Sequence, residues 1–237
     1  MHVVSVMAHQ DDELLCLGTM LKMKRRGDQL HFICLTQGET GMVHKPEMSQ
    51  EEAAAVRHAE MSEMCRRAGG SYTCLGFEDE FLFDTKEVRV ALIGALREAK
   101  ADVVFTHYLT DYNLDHMTTC SLVRQCAMQA AFPMIRSQHA PLPAAPAVFL
   151  IEPAVGFDFE PTHWVGIDEV QQEKMELARC HASQDEAFQA AYGPDFGICE
   201  WIGQTTARRG EQCGCKHAEA FRPLMTRGFV RGYSVLP

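Results

Sequence analysis

Two short apolar runs, at positions 2–8 and His31–Thr36, flank a stretch from Leu14 to Arg26 with helical spacing that stops at Gly27. Parallel neighbours in a sheet need a crossover of about this length, so the segment reads as a βαβ unit. The alternation then continues. Ser49, with Glu52 three residues on, opens a helix by a capping-box pattern, and that helix runs to about Gly69. Tyr72–Leu75 predicts a strand, Lys86–Ala99 a helix with Val88, Leu92, Ala95, Leu96 and Ala99 on one face, Asp102–Thr106 a strand and His116–Ala131 a helix. Pro141–Pro146 interrupts the pattern before an apolar strand at Val148–Ile151. From Asp168 the chain reads as mainly helical to about Gly193 and less regular beyond it. The expectation is an α/β fold over one domain, residues 1–237, with a mostly parallel sheet covered by helices on both faces. The part from about Asp168 is expected to be a mainly helical extension packed on the rest. Right-handed crossovers bring the loops that follow the strands to one edge of such a sheet, where ligands bind.

Composition narrows the function classes. A formal net charge of -10 disfavours nucleic acid and anionic membrane as partners, and leaves a small molecule. No apolar run is long enough to span a bilayer, and the N-terminus begins as a strand, so the expected location is cytoplasmic. Ten scattered cysteines are expected to be reduced, several of them in the core. Cys213-Gly-Cys215 is the one close pair, without a second pair or histidine spacing to make it a zinc motif.

The chemistry concentrates at two predicted strand ends. Ala8-His-Gln-Asp-Asp-Glu13 puts a histidine and three carboxylates directly after the first strand. Alone, those acids need only complement the positive end of a following helix. A second group, Asp111-Tyr-Asn-Leu-Asp-His116, follows another strand and precedes another helix. Together they offer His9, Asp12 and His116 as three ligands, which leaves the fourth zinc position open for chemistry, with Asp11 free to act on a water. Iron(II) accepts the same ligand types. Thr36-Gln-Gly-Glu-Thr-Gly41 lacks the spacing of a phosphate loop and is read as a turn at a pocket rim, with Glu39 able to reach substrate.

The paired motifs AHQDDE and DYNLDH resemble those of the LmbE-like (PIG-L) deacetylases, AHPDDE and HPDH. Leu35-Thr-Gln-Gly-Glu39, Arg57-His-Ala-Glu60, and Lys174 followed by His181-Ala-Ser-Gln184 extend the resemblance over most of the chain. It implies a Rossmann-like three-layer α/β/α fold and zinc-dependent removal of an acetyl group from an N-acetylated sugar of the N-acetylglucosamine type. It further implies His9, Asp12 and His116 as metal ligands, Asp11 as general base, Arg57 and His181 as substrate contacts, and assembly as a trimer or hexamer. Two positions depart from the family pattern. Gln10 replaces a proline. Asn113 replaces the histidine that, in the family, stabilises the oxyanion or protonates the leaving amine, with Asp115 orienting it. An asparagine donates a hydrogen bond but no proton, so the amine's proton falls to Asp11, His107 or His181. Two other readings stay open: hydrolysis of another small amide, and a member that has lost activity and binds a sugar or partner.

Overall fold

The computed structural model describes residues 1–156, 158–225 and 236. Its strands are β1 (His2–Met7), β2 (Gln29–Thr36), β3 (Ser71–Phe77), β4 (Val103–Thr106), β5 (Ala147–Ile151), β6 (His163–Gly166) and β7 (Ala218–Pro223). The helices are α1 (Leu17–Arg25), α2 (Gln50–Ala68), α3 (Lys86–Glu98), α4 (Leu114–Gln129), α5 (Gln171–Ala178), α6 (Ala182–Tyr192) and α7 (Ile198–Cys213). They build one sheet in the order β3-β2-β1-β4-β5-β7-β6. The first five of these strands run parallel, while β7 is antiparallel to both β5 and β6.

Alternation along each strand feeds two cores, one on either face of the sheet. Val3, Phe32 and Phe105 point to the side covered by Met20 of α1, Met61 of α2 and Ile202 of α7. Val4, Ile33 and Val104 point to the side covered by Leu92 of α3 and Val123 of α4. The result is the three-layer α/β/α arrangement. Ser49 caps α2 with the expected reciprocal bonds to Glu52, and Gly69 in a left-handed conformation ends it. Among the described residues no helix is long and apolar enough to cross a membrane.

Two expectations change. The helix expected from Leu14 is preceded by a tight 3-10 turn at Asp12–Leu15, and α1 proper starts at Leu17. Among the described residues the chain after Gly193 is more regular than expected, with α7 at Ile198–Cys213 and β7 entering the sheet between β5 and β6; residues 226–235 and 237 of that stretch lie outside the described residues. Buried charge masks β7 in the sequence, because its inward-facing Glu219 is 3% exposed. That carboxylate accepts the N–H groups of Gly18 and Thr19 in the first turn of α1, at 2.8 and 2.7 Å, and pairs with Lys174 Nζ at 2.7 Å. A helix N-terminus offers unpaired N–H groups and a positive dipole end, so the anion completes α1 where it leaves the first motif. Glu219→Ala would strand the Lys174 ammonium, which is fully buried, and is expected to destabilise the fold by about 3–5 kcal/mol in chemical denaturation. Adding Lys174→Met should recover most of that loss; a single-variant loss below about 1 kcal/mol would refute the role given to the pair.

Candidate metal centre

β1 pairs with β2 on one side and β4 on the other, all parallel. The chain leaves β1 towards β2 and β3, then returns to build β4 and β5 on the opposite side. The loops after β1 and β4 therefore diverge at a switch in strand order, which opens a crevice at the carboxyl ends. Both sequence clusters stand there.

The turn after β1 is held in an uncommon backbone conformation. Asp11 has φ 114°, which a non-glycine residue adopts only where neighbours enforce it. The Asp11 N–H donates to Glu13 Oε2 at 2.9 Å, and the His9 N–H donates to Asp12 Oδ2 at 2.8 Å. Arg57 Nη2 donates to the Gln10 carbonyl and, at 3.2 Å, to Asp11 Oδ1. Glu13 does not simply dress a helix start. It is fully buried, with Oε1 2.9 Å from Nε2 of His181, itself fully buried. Arg57 and His181 thus stand behind Asp11, and among the described residues the Nε and Nη1 groups of Arg57 have no hydrogen-bond partner.

After β4, Asn113 caps α4: its Oδ1 accepts the N–H groups of Asp115 and His116 at 2.7 and 3.2 Å. Its Nδ2 donates to Glu80 Oε1 at 3.1 Å. This cap presents His116 towards the first turn. His9 Nδ1 lies 3.1 Å from His116 Nε2, His116 Nε2 lies 3.3 Å from Asp12 Oδ1, and His9 Nδ1 lies 3.4 Å from Asp12 Oδ2. Donor atoms about 2.0–2.1 Å from a tetrahedral zinc ion stand about 3.3 Å from one another. The three expected ligands are spaced for one ion.

The surroundings fit a cation as well. The outer nitrogens of both imidazoles face carboxylates: His9 Nε2 lies 2.9 Å from Asp79 Oδ1, and His116 Nδ1 lies 3.1 Å from Asp111 Oδ2. Such partners keep the proton on the outer nitrogen and turn the inner lone pair towards a metal. The acids and imidazoles of the site act on one another's charge. Burial opposes the charge on His116, yet Asp12 and Asp111 push it up to about 9. Burial likewise opposes ionisation of Asp12, while the neighbouring His116 holds its carboxyl well below the usual range. Asp79, against the effect of its burial, is held down at about 2 by His9 and by the Thr40 hydroxyl and N–H.

Asp115 is buried and accepts the N–H groups of Glu80 and Leu82 at 2.8 and 3.1 Å, with Oδ2 3.6 Å from His9 Nε2. It ties the loop after β3 to the centre. His107 stacks on His116 with ring centroids 4.1 Å apart, and its Nε2 accepts the Ala8 N–H at 2.9 Å. Burial and the neighbouring His116 lower His107 to about 4, so it stays neutral with that nitrogen occupied. Asp79 was not anticipated from sequence. Its signal was the acid run Glu78-Asp-Glu80 directly after β3, the same strand-end placement as the other two clusters.

A mostly parallel α/β sheet with two imidazoles and a carboxylate converging at its switch point forms a strand-end cluster that could hold a metal ion. The family profile described as PIG-L, GlcNAc-PI de-N-acetylase, matches residues 4–127. The chain belongs to the PIG-L (LmbE-like) family. It is 32% identical over 113 residues to a probable N-acetyl-alpha-D-glucosaminyl L-malate deacetylase 2 of Bacillus anthracis, a match spanning 45% of this chain and about half, 50%, of that relative. Its fold is similar to that of N,N'-diacetylchitobiose deacetylase from Pyrococcus horikoshii, with TM-score 0.80 at 24% identity, covering 94% of this chain and 83% of the other. It is also similar to 4-carboxy-2-hydroxymuconate hydratase from Pseudomonas putida, with TM-score 0.82 at 21% identity, covering 98% and 100%. At these identities the structural likeness establishes the fold, and one fold hosts both an amide hydrolase and a hydratase.

Proposed function

We propose that this chain is a metal-dependent N-deacetylase that removes acetyl from a small N-acetylated sugar of the N-acetylglucosamine type. The observation that carries the reading is the convergence of His9 Nδ1, His116 Nε2 and the Asp12 carboxylate at 3.1–3.4 Å, with acids behind both rings. These three residues would hold zinc, with iron(II) acceptable to the same donors. When bound, the ion polarises the acetyl carbonyl and acidifies the attacking water. Asp11, the half-buried carboxylate beside the ligand set, takes the proton of that water. Burial raises its pKa against the pull of Arg57, which suits a base that must later return a proton. As the C–N bond breaks, Asp11 passes this proton to the amine nitrogen, leaving acetate and a free amine. His107 takes no part in that transfer, because its ring is buried and its Nε2 accepts the Ala8 N–H. Asn113 contributes to the oxyanion the amide hydrogen that it does not give to Glu80, while Asp115 holds the surrounding loops in place.

The substrate class rests on the family and on the names of the Bacillus and Pyrococcus relatives. The same reading carries a cytoplasmic enzyme assembled as a trimer or hexamer. Acetate release from a panel of N-acetylated hexosamines and their conjugates, measured beside metal content, is the test. Roughly one ion per chain with release from at least one sugar is expected. Metal-loaded protein that releases no acetate from any of them would overturn the reading and favour another small amide or a binding role.

A further inference from the structure

Three strands along the sheet from β1, α7 ends at Cys213 and the chain turns through Gly214 into Cys215 before entering β7. Gly214 has φ 79°, a left-handed conformation that favours glycine, and the turn leaves the two sulfur atoms 3.4 Å apart. A disulfide bond is about 2.05 Å long, so closure brings the sulfurs together by little more than about 1 Å. Cys213 is exposed and Cys215 half-buried, whereas Cys16, Cys34, Cys65, Cys120 and Cys126 are buried in the two cores. The Cys215 thiol donates to the His217 carbonyl at 3.2 Å and that of Cys213 to the Arg209 carbonyl at 3.5 Å, contacts with the protein's own backbone that lock neither sulfur away.

We propose that Cys213 and Cys215 form a reversible dithiol–disulfide pair, a redox modification site whose oxidant is a low-molecular-weight disulfide. Exposure sets the order of events. The Cys213 thiolate attacks one sulfur of R–S–S–R, forming a mixed disulfide and expelling R–S⁻. Cys215 gives its proton to solvent and attacks the Cys213 sulfur; the intramolecular S–S bond forms, the mixed bond breaks, and a second R–S⁻ leaves. The protein loses two electrons and two protons, and the oxidant becomes two thiols. Burial pushes Cys215 up to about 11, the adjacent Cys213 thiol acts in the same direction, and capping Cys213 removes the second of these influences. A small ring on an exposed turn belongs to the labile, readily reduced class of disulfides.

The test treats the full chain with oxidised glutathione, counts free thiols in denaturant, and digests with trypsin. The count should fall from ten to eight, and the peptide Gly210–Lys216, GEQCGCK, should lose two hydrogens. Dithiothreitol should restore both. Cys215→Ser should stop at a single glutathione adduct on Cys213. A wild-type chain that keeps ten thiols, accumulates the single adduct without closing it, or loses thiols at another pair overturns the proposal.

Discussion

Asp11→Asn is expected to lower acetate release by roughly 10²- to 10⁴-fold, the usual contribution of a positioned general base, while bound metal stays at the wild-type level. The substitution is a clean one here. Asparagine tolerates the left-handed region better than other non-glycine residues, so the turn at φ 114° should persist. Its Oδ1 can still accept from Arg57, and its backbone N–H still reaches Glu13. What is lost is the basic oxygen alone, and with it the proton that the amine needs on leaving. Metal analysis and turnover should therefore separate. Turnover within about threefold of wild type would remove Asp11 from the role of base, and a parallel loss of metal would mean that the variant had disturbed the turn instead.

The convergence of His9 and His116, 107 residues apart in sequence, was legible because a parallel sheet gathers its strand ends along one edge. The alternation of apolar runs with helical spacing gave the edge itself. What stayed hidden depends on burial of charge, which residue type alone does not reveal. Glu13 reads as a helix-start acid, yet it is enclosed with His181 and steadies Asp11 from beneath. Arg57 is expected from the resemblance as a substrate contact, and the structure places its guanidinium against Asp11 and Gln10. β7 escaped notice because Glu219 faces inward to Lys174 and α1, which breaks the apolar pattern that marks the other strands. Asn113, singled out as a departure from the family histidine, is first a helix cap, and capping preference is a property of asparagine that the comparison of motifs passes over.

Metal binding should fall in a graded order that follows distance from the proposed ion. His116→Ala removes one of three donors and leaves His9 and Asp12, so the chain should purify with little metal and no measurable turnover. Asp79→Asn keeps all three donors but weakens the acid behind His9, and such outer partners are typically worth 10- to 100-fold in affinity or activity. Asp111→Asn should act in the same range through His116. Because the ion binds only the folded chain, metal at a hundred times its dissociation constant adds about 2.7 kcal/mol of stability. A chelator should therefore lower the wild-type melting temperature, and leave His116→Ala almost unchanged. This contrast tests the ligand set without recourse to any substrate. Equal responses of the two proteins to chelator would place the metal elsewhere, and an Asp79→Asn variant with wild-type affinity would reduce that acid to a partner of Thr40.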